Sequence, residues 1–257
     1  MNKKKALLIL RGGVSKVAGK WDGQSNQPYI NYKAVCNSIK KHIINANSQY
    51  VFDVYIHCWD VALQEDLIAL YQPIAYKFEL NNIYHDDINY KLDNLEMPKD
   101  SGMFRVTSNT LSLKKAIELV EQNVQSTNTK YDACIISRPD IMYFTPMDLN
   151  RYNLNQSIYV NTLTQCDYHF VMNYKNLCKF KFLYDSFSPF NIPGGHKYIQ
   201  EFVRMWIQTD YKADYFKTPY DLEILRKLAR KTVIYKIDIQ QLLEFGVDAQ
   251  EFKTYVA

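Results

Sequence analysis

The sequence predicts an α/β fold, a mostly parallel sheet flanked by helices, and three observations carry that expectation. Short apolar runs rich in β-branched residues recur along the chain, as buried strands require. Amphipathic stretches with helical spacing separate several of them, and strand–helix–strand alternation implies parallel pairing through right-handed crossovers. The 257 residues, 47% hydrophobic and 23% charged, suit one globular domain or a domain with a small appendage.

Ala6 to Leu10 reads as the first strand, ending in Arg11-Gly12-Gly13-Val14-Ser15-Lys16. A glycine pair after a strand lets backbone approach a ligand closely, and amides beside Arg11, Ser15 and Lys16 suit a phosphate. The pattern is neither G-x-G-x-x-G nor a P-loop, so a tight turn with solvated basic residues is the competing reading. Gly19 to Tyr29 is polar and reads as a loop. Tyr32 to Ile44 reads as the first crossover helix, with Val35, Ile39 and Ile43 inward and Lys40 and Lys41 outward. Phe52 to Asp60 reads as the second strand, ending in His57, Trp59 and Asp60. A helix from Leu63 to Tyr71 is stopped by Pro73, and Ile74 to Phe78 is a short third strand.

Leu80 to Ser101 is acidic, Asn-rich and aperiodic, which predicts a solvated loop; its acids lack an EF-hand pattern. Val106 to Val124 is the clearest helix, with Leu111, Ala116, Leu119, Val120 and Val124 on one side. Its start, Arg105 to Asn109, offers N-caps. Ser157 to Thr162 and Gln165 to Met172 read as strands, and alternation puts Asp167, His169 and Val171 on one face of the latter. Helices follow at Leu177 to Phe187 and Tyr198 to Trp206. Another opens at Thr218-Pro219, with Asp221 and Glu223 in its first turn. Val233 to Ile237 reads as a late strand and Gln240 to Ala257 as a terminal cap.

The net charge of +4 fits an anionic small molecule and falls short of a nucleic-acid footprint. The 21 tyrosines suit sugar and base contacts, although enrichment together with Asn, Lys and Ile also follows from an AT-rich gene. Cys36, Cys58, Cys134, Cys166 and Cys178 form no C-x-x-C pair or zinc pattern, so they read as reduced thiols. The apolar core Ala6 to Leu10 is too short for a signal peptide, and no segment approaches a membrane span. A soluble cytoplasmic protein is the expectation.

One stretch concentrates chemistry. The apolar run Ala133 to Ile136 ends in Ser137-Arg138-Pro139-Asp140, and a second apolar run, Ile141 to Phe144, follows. Arg138 and Asp140 thus sit at a strand's carboxyl end, where open α/β sheets bind ligands, and suit a phosphate or a metal ion. This stretch, continuing into Thr145-Pro146-Met147-Asp148-Leu149, resembles the Asp-x-Asp segment of GT-A-type glycosyltransferases. It is most similar to the glycosyltransferase-like proteins of large DNA viruses and bacterial surface-polysaccharide loci, with Arg-Pro-Asp in place of Asp-x-Asp.

The resemblance implies a single GT-A-like, Rossmann-like domain, residues 1–150 forming a nucleotide-donor half and 151–257 an acceptor half. It implies sugar transfer from a nucleotide-diphosphate sugar to a glycan, lipid or protein hydroxyl. It implies donor contacts at Arg11, Gly12, Gly13, Ser15, Lys16, Arg105, Ser108, Ser112 and Arg138. It implies a divalent metal, Mn²⁺ or Mg²⁺, on Asp140 with His196 as a further ligand. Arg138 replaces the first motif Asp, which leaves Asp140 as the only motif carboxylate. Asp167, then Glu223 and Asp221, are the candidates for the catalytic base, with His169 auxiliary to Asp167. A non-catalytic nucleotide- or glycan-binding module on the same fold is the alternative, and a nucleotidyltransferase a third reading.

Overall fold

The computed structural model describes residues 3–14, 28–96, 101–160, 169–186, 202–203, 207–208, 210–213 and 239–248. Its centre is a parallel block. Strand β1 (Lys4–Gly12) lies between β2 (Tyr50–Cys58) and β4 (Ala133–Ser137), parallel to both, and β3 (Ala75–Phe78) extends the block beyond β2. On the far side β6 (Phe170–Met172) runs antiparallel to β4 and to β5 (Ser157–Val160). β7 (Asp210–Ala213) pairs parallel with β5. The sheet therefore has the order β3-β2-β1-β4-β6-β5-β7.

The pleat explains the layers. Even residues of β1, Ala6, Leu8 and Leu10, share a buried cluster with Val35 and Ile39 of α1 (Tyr32–Ile39) and with Leu67 of α2 (Gln64–Tyr71). Odd residues Leu7 and Ile9 pack on the other face with Leu113, Ile117 and Val120 of α4 (Ser101–Thr127) and Leu177 and Phe180 of α5 (Tyr174–Phe180). With both faces covered, the central strands need apolar residues at every position, which is why they read as continuous runs. The mostly parallel α/β architecture flanked by helices is present as expected.

Local chemistry sets the ends. Asn31 caps α1, its side chain accepting the Ala34 amide at 3.0 Å. α1 continues as a π turn over Lys40–Ile44 rather than as the regular helix expected. α2 stops at Gln72, whose φ of 47° is left-handed, ahead of Pro73. α5 starts earlier than its apolar spacing suggested, because Asn173 accepts the Asn176 amide at 2.8 Å.

Two expectations are corrected. Much of the stretch expected as a loop from Leu80 to Ser101 is helical: a 3₁₀ turn, Asn81–Tyr84, leads into α3 (His85–Asn94). Ile88 and Leu92, one turn apart, are fully buried, and Asp86 and Asp87 occupy the favourable first turn. α4 begins at Ser101 rather than Val106. Thr107 was expected near its cap, yet its hydroxyl donates back to the Met103 carbonyl (2.9 Å), as that of Thr110 does to the Thr107 carbonyl (2.8 Å). That is how hydroxyl residues are accommodated inside a helix.

The C-terminal segment closes the α1 face. In α6 (Ile239–Glu244) and just beyond it, Leu242, Phe245 and Val247 join the cluster under α1. Asn37 donates to the Phe245 carbonyl at 3.0 Å and Asn31 to that of Gly246 at 3.1 Å. Among the described residues no helix is long and apolar enough to cross a membrane. Cys36, Cys58, Cys134 and Cys178 are free thiols.

Candidate functional site

The chain runs from β1 outward through β2 and β3, then returns to place β4 on β1's other side. That reversal between β1 and β4 is a topological switch point, and open α/β sheets bind ligands outside the carboxyl ends of strands there. Arg11 and Gly12 end β1, and Ser137, Arg138 and Asp140 end β4. Cys58 ends β2, directly across from Gly12. Burial pushes its thiol well up, and the carboxylates of Asp60 and Asp140 add to the shift, which places both acids at this same edge.

Arg138 and Asp140 engage each other. Nε donates to Oδ1 and Nη2 to Oδ2, both at 2.7 Å, with the side chains 3% and 0% exposed. The turn through Pro139 brings them together: Ile141 N–H reaches the Arg138 carbonyl at 3.4 Å, with proline at the second turn position. A two-toothed pair of this kind is rigid and charge-neutral. Beside it, Ser137 Oγ and Tyr143 OH lie 2.7 Å apart, and Tyr143 OH lies 3.3 Å from His169 Nδ1. Ser38 fixes Tyr143 through both its amide (2.6 Å) and its carbonyl (3.0 Å).

At the end of β1, Arg11 is buried beneath α4 and donates to the Asn109 carbonyl at 3.3 Å. Gly12 has φ of 92°, a conformation that favours glycine. Its N–H donates to Ser112 Oγ at 3.0 Å, and its carbonyl accepts Trp59 N–H at 3.3 Å. Ser112 Oγ lies 2.8 Å from His57 Nδ1, and His57 Nε2 lies 3.0 Å from Glu79 Oε1. Glu79 also receives Lys77 (2.9 Å), Lys115 (3.2 Å) and Tyr84 (2.8 Å). Burial alone would raise the Glu79 carboxyl, but His57, Lys77, Tyr84 and Lys115 together hold it well below the usual range. Burial pushes the His57 imidazole down, against the opposing pull of Glu79. Asp60 grips the next backbone, accepting Val14 N–H at 2.6 Å and Tyr29 OH at 3.2 Å.

The expected donor residues are thus partly gathered. Arg11, Gly12, Gly13 and Arg138 stand at the two strand ends. Ser112 meets Gly12 from α4. Ser108 turns its hydroxyl to Asn81 at 3.2 Å, and Arg105 is exposed. Because α4 starts at Ser101, these three lie in its second to fourth turns, beyond the reach of the helix terminus as an anion site. Ser15, Lys16, Asp167, His196, Asp221 and Glu223 lie outside the described residues.

His57, Glu79 and Asp60 were not expected in the site. The available signal was the Arg11 signal again: His57, Trp59 and Asp60 follow an apolar run just as Arg11 and Arg138 do.

No protein-family model matches the chain, and no curated protein sequence matches it. Among solved structures, the chain is similar to a protein from Desulfovibrio desulfuricans G20 described as a nucleotide-diphospho-sugar transferase (TM-score 0.48, 11% identity, 99% of each chain covered). It is also similar to a cytidylyltransferase from Leptospira borgpetersenii (TM-score 0.45, 8% identity, 99% of this chain and 97% of that one). A third similarity is to a glycosyltransferase involved in glycosylation of the major capsid of PBCV-1 (TM-score 0.34, 10% identity, 82% and 81% covered). Likenesses this distant carry no activity over to this chain.

Proposed function

We propose that the protein binds a nucleotide-diphosphate sugar at the carboxyl ends of β1 and β4 and transfers the sugar to a glycan, lipid or protein hydroxyl. The observation that carries this reading is the switch point with an arginine at each flanking strand end, Arg11 and Arg138. Two guanidiniums at adjacent strand ends suit a diphosphate, and neutralising that leaving group is the main demand of glycosyl transfer. Ser15 and Lys16 would follow Arg11 toward the same phosphates. Asp167, Glu223 and Asp221 are the proposed bases, in that order, for the acceptor hydroxyl.

A divalent metal is what the family resemblance implies, and the described residues do not fit one. Both oxygens of Asp140 accept from Arg138, whose fixed positive charge repels a second cation. Among the described residues no three His, Cys, Asp or Glu side chains gather into a metal-holding group. In the proposed reaction Arg138 itself supplies the positive charge at the motif position, with Asp140 orienting it.

The same closed pair, with Arg at the first motif position, favours a second reading: a non-catalytic module that binds the nucleotide sugar without transferring it. Thermal melts with UDP, GDP, CDP and dTDP and their sugars test binding. A ligand at about 100 times its dissociation constant adds about 2.7 kcal/mol to stability. We expect such a shift, retained in EDTA. Absence of any shift across the panel would overturn the donor reading, and a shift abolished by EDTA would restore the metal to Asp140. Release of free sugar from the bound donor separates the enzyme from the module.

A further inference from the structure

The relay joining Gly12, Ser112, His57 and Glu79 has a single consistent polarity. An ionised Glu79 only accepts, so His57 carries its proton on Nε2. Nδ1 then accepts the Ser112 hydroxyl proton, and the Ser112 oxygen accepts the Gly12 amide. Every donor and acceptor in the chain is assigned once the carboxylate is charged. Ser112 and His57 are fully buried, so water cannot substitute for a missing link.

The relay ends on Gly12, a buried residue at the end of β1 opposite Cys58. An added Cβ there would meet no atom within 4 Å, so it is the φ of 92° that calls for glycine. Both polar groups of Gly12 are held, its N–H by Ser112 and its carbonyl by Trp59 N–H. Two residues on, Asp60 holds Val14 N–H. The amides before and after Gly13 are thus tied to protein acceptors.

We infer that Ser112, His57 and Glu79 are positioning residues that set the Gly12-Gly13 turn so that the Gly13 amide meets a diphosphate oxygen. This rests on the donor reading above and adds to it the means by which the phosphate turn is fixed. Gly12 and Ser112 then act on the ligand through the turn rather than by touching it. Lys77 and Lys115 serve at one remove, by keeping Glu79 charged.

The test is calorimetric titration of the wild type, Ser112→Ala and Glu79→Gln with the tightest-binding of UDP, GDP, CDP and dTDP, and with its own nucleoside. Ser112→Ala should weaken the diphosphate about tenfold, as loss of one well-placed hydrogen bond does, and leave the nucleoside within about twofold. Glu79→Gln should weaken the diphosphate selectively and shift the His57 tautomer away from Nε2–H in imidazole ¹⁵N spectra. It also carries the test if Ser112→Ala does not fold. Equal affinity of wild type and variants for the diphosphate would overturn the inference and leave the donor reading standing. A wild type that binds none of the four diphosphates overturns the donor reading, and this inference with it.

Discussion

Each end of the sheet carries a buried polar network, and the two are built from different chemistry. At the amino end, Tyr131 OH donates to Asp53 at 2.8 Å and lies 3.1 Å from Tyr55 OH, which reaches Asn123 at 2.8 Å. Lys5 approaches Asp53 at 3.4 Å from a half-exposed position. That network is mostly phenols and an amide, closed on itself around one carboxylate. The carboxyl end gathers two arginines, two lysines, two histidines and three acids where strand pairing stops. Neutral hydroxyls can be satisfied internally at little cost, so the amino end has the chemistry of a clasp. Buried charges are expensive to hold and are kept where a charged ligand can use them. On the proposed function, one end serves stability and the other binding.

The largest effect expected is at the carboxyl end. Asp140→Ala removes the carboxylate that both Arg138 Nε and Nη2 engage in a buried site and should cost about 3–5 kcal/mol in chemical denaturation. Replacing both, Arg138→Met with Asp140→Leu, should recover most of that stability while abolishing the nucleotide-induced melting shift. A double variant that still binds nucleotide would break the division between the two ends.

Tyr131→Phe should cost about 1–3 kcal/mol, since Asp53 loses a buried donor. It should leave nucleotide affinity unchanged, and a change would show that the amino end is coupled to the site.

The smallest effects are in pH dependence: phenols at both ends contribute an alkaline limb, Tyr131 at the amino end and Tyr29 and Tyr84 beside Asp60 and Glu79 at the carboxyl end, while His57 and Glu79 give the carboxyl end an acid limb as well. Burial, with the hydrogen bonds and charge around Asp53 adding to it, raises the Tyr131 phenol above its ordinary 10.0. The unfolded chain then loses that proton first, so stability is full below pH 10 and falls as pH rises beyond it. His57 and Glu79 are both lowered from their ordinary values of 6.5 and 4.5. The unfolded chain takes up those protons first, so stability falls as pH drops below 6.5 and again below 4.5. His42 adds to the acid limb: burial and Lys41 lower it to about 4, against the pull of Glu244. Melting temperatures across this range should show both limbs. Tyr131→Phe should soften only the alkaline one and His42→Phe only the acid one.

The parallel core could be read from the sequence because each central strand is an apolar run ended by polar residues. Arg11, Arg138 and Asp140 were found by that same break in pattern. His57 shows that break too, but its role, like that of Glu79, arises from register: β1 sets Arg11 opposite His57, and Glu79 follows a strand that pairs with β2. Neither fact is local in sequence. α3 was missed because it presents little apolar periodicity beyond Ile88 and Leu92, too sparse to outweigh its Asn and Asp content. The mutual engagement of Arg138 and Asp140 depends on the turn through Pro139, whose side-chain outcome spacing alone does not fix.

The docking of Phe245 and Val247 on α1 also sets a timetable. α1 is made early, yet residues that pack beside it are encoded some two hundred positions later. At about 5–20 residues per second, a ribosome needs roughly 10–40 s to deliver them. Through that interval the side of α1 and its π turn that carries Asn37, Lys41 and His42 waits for its partners. The contact is thus among the longest in sequence, and it forms only after the described strands have been synthesised.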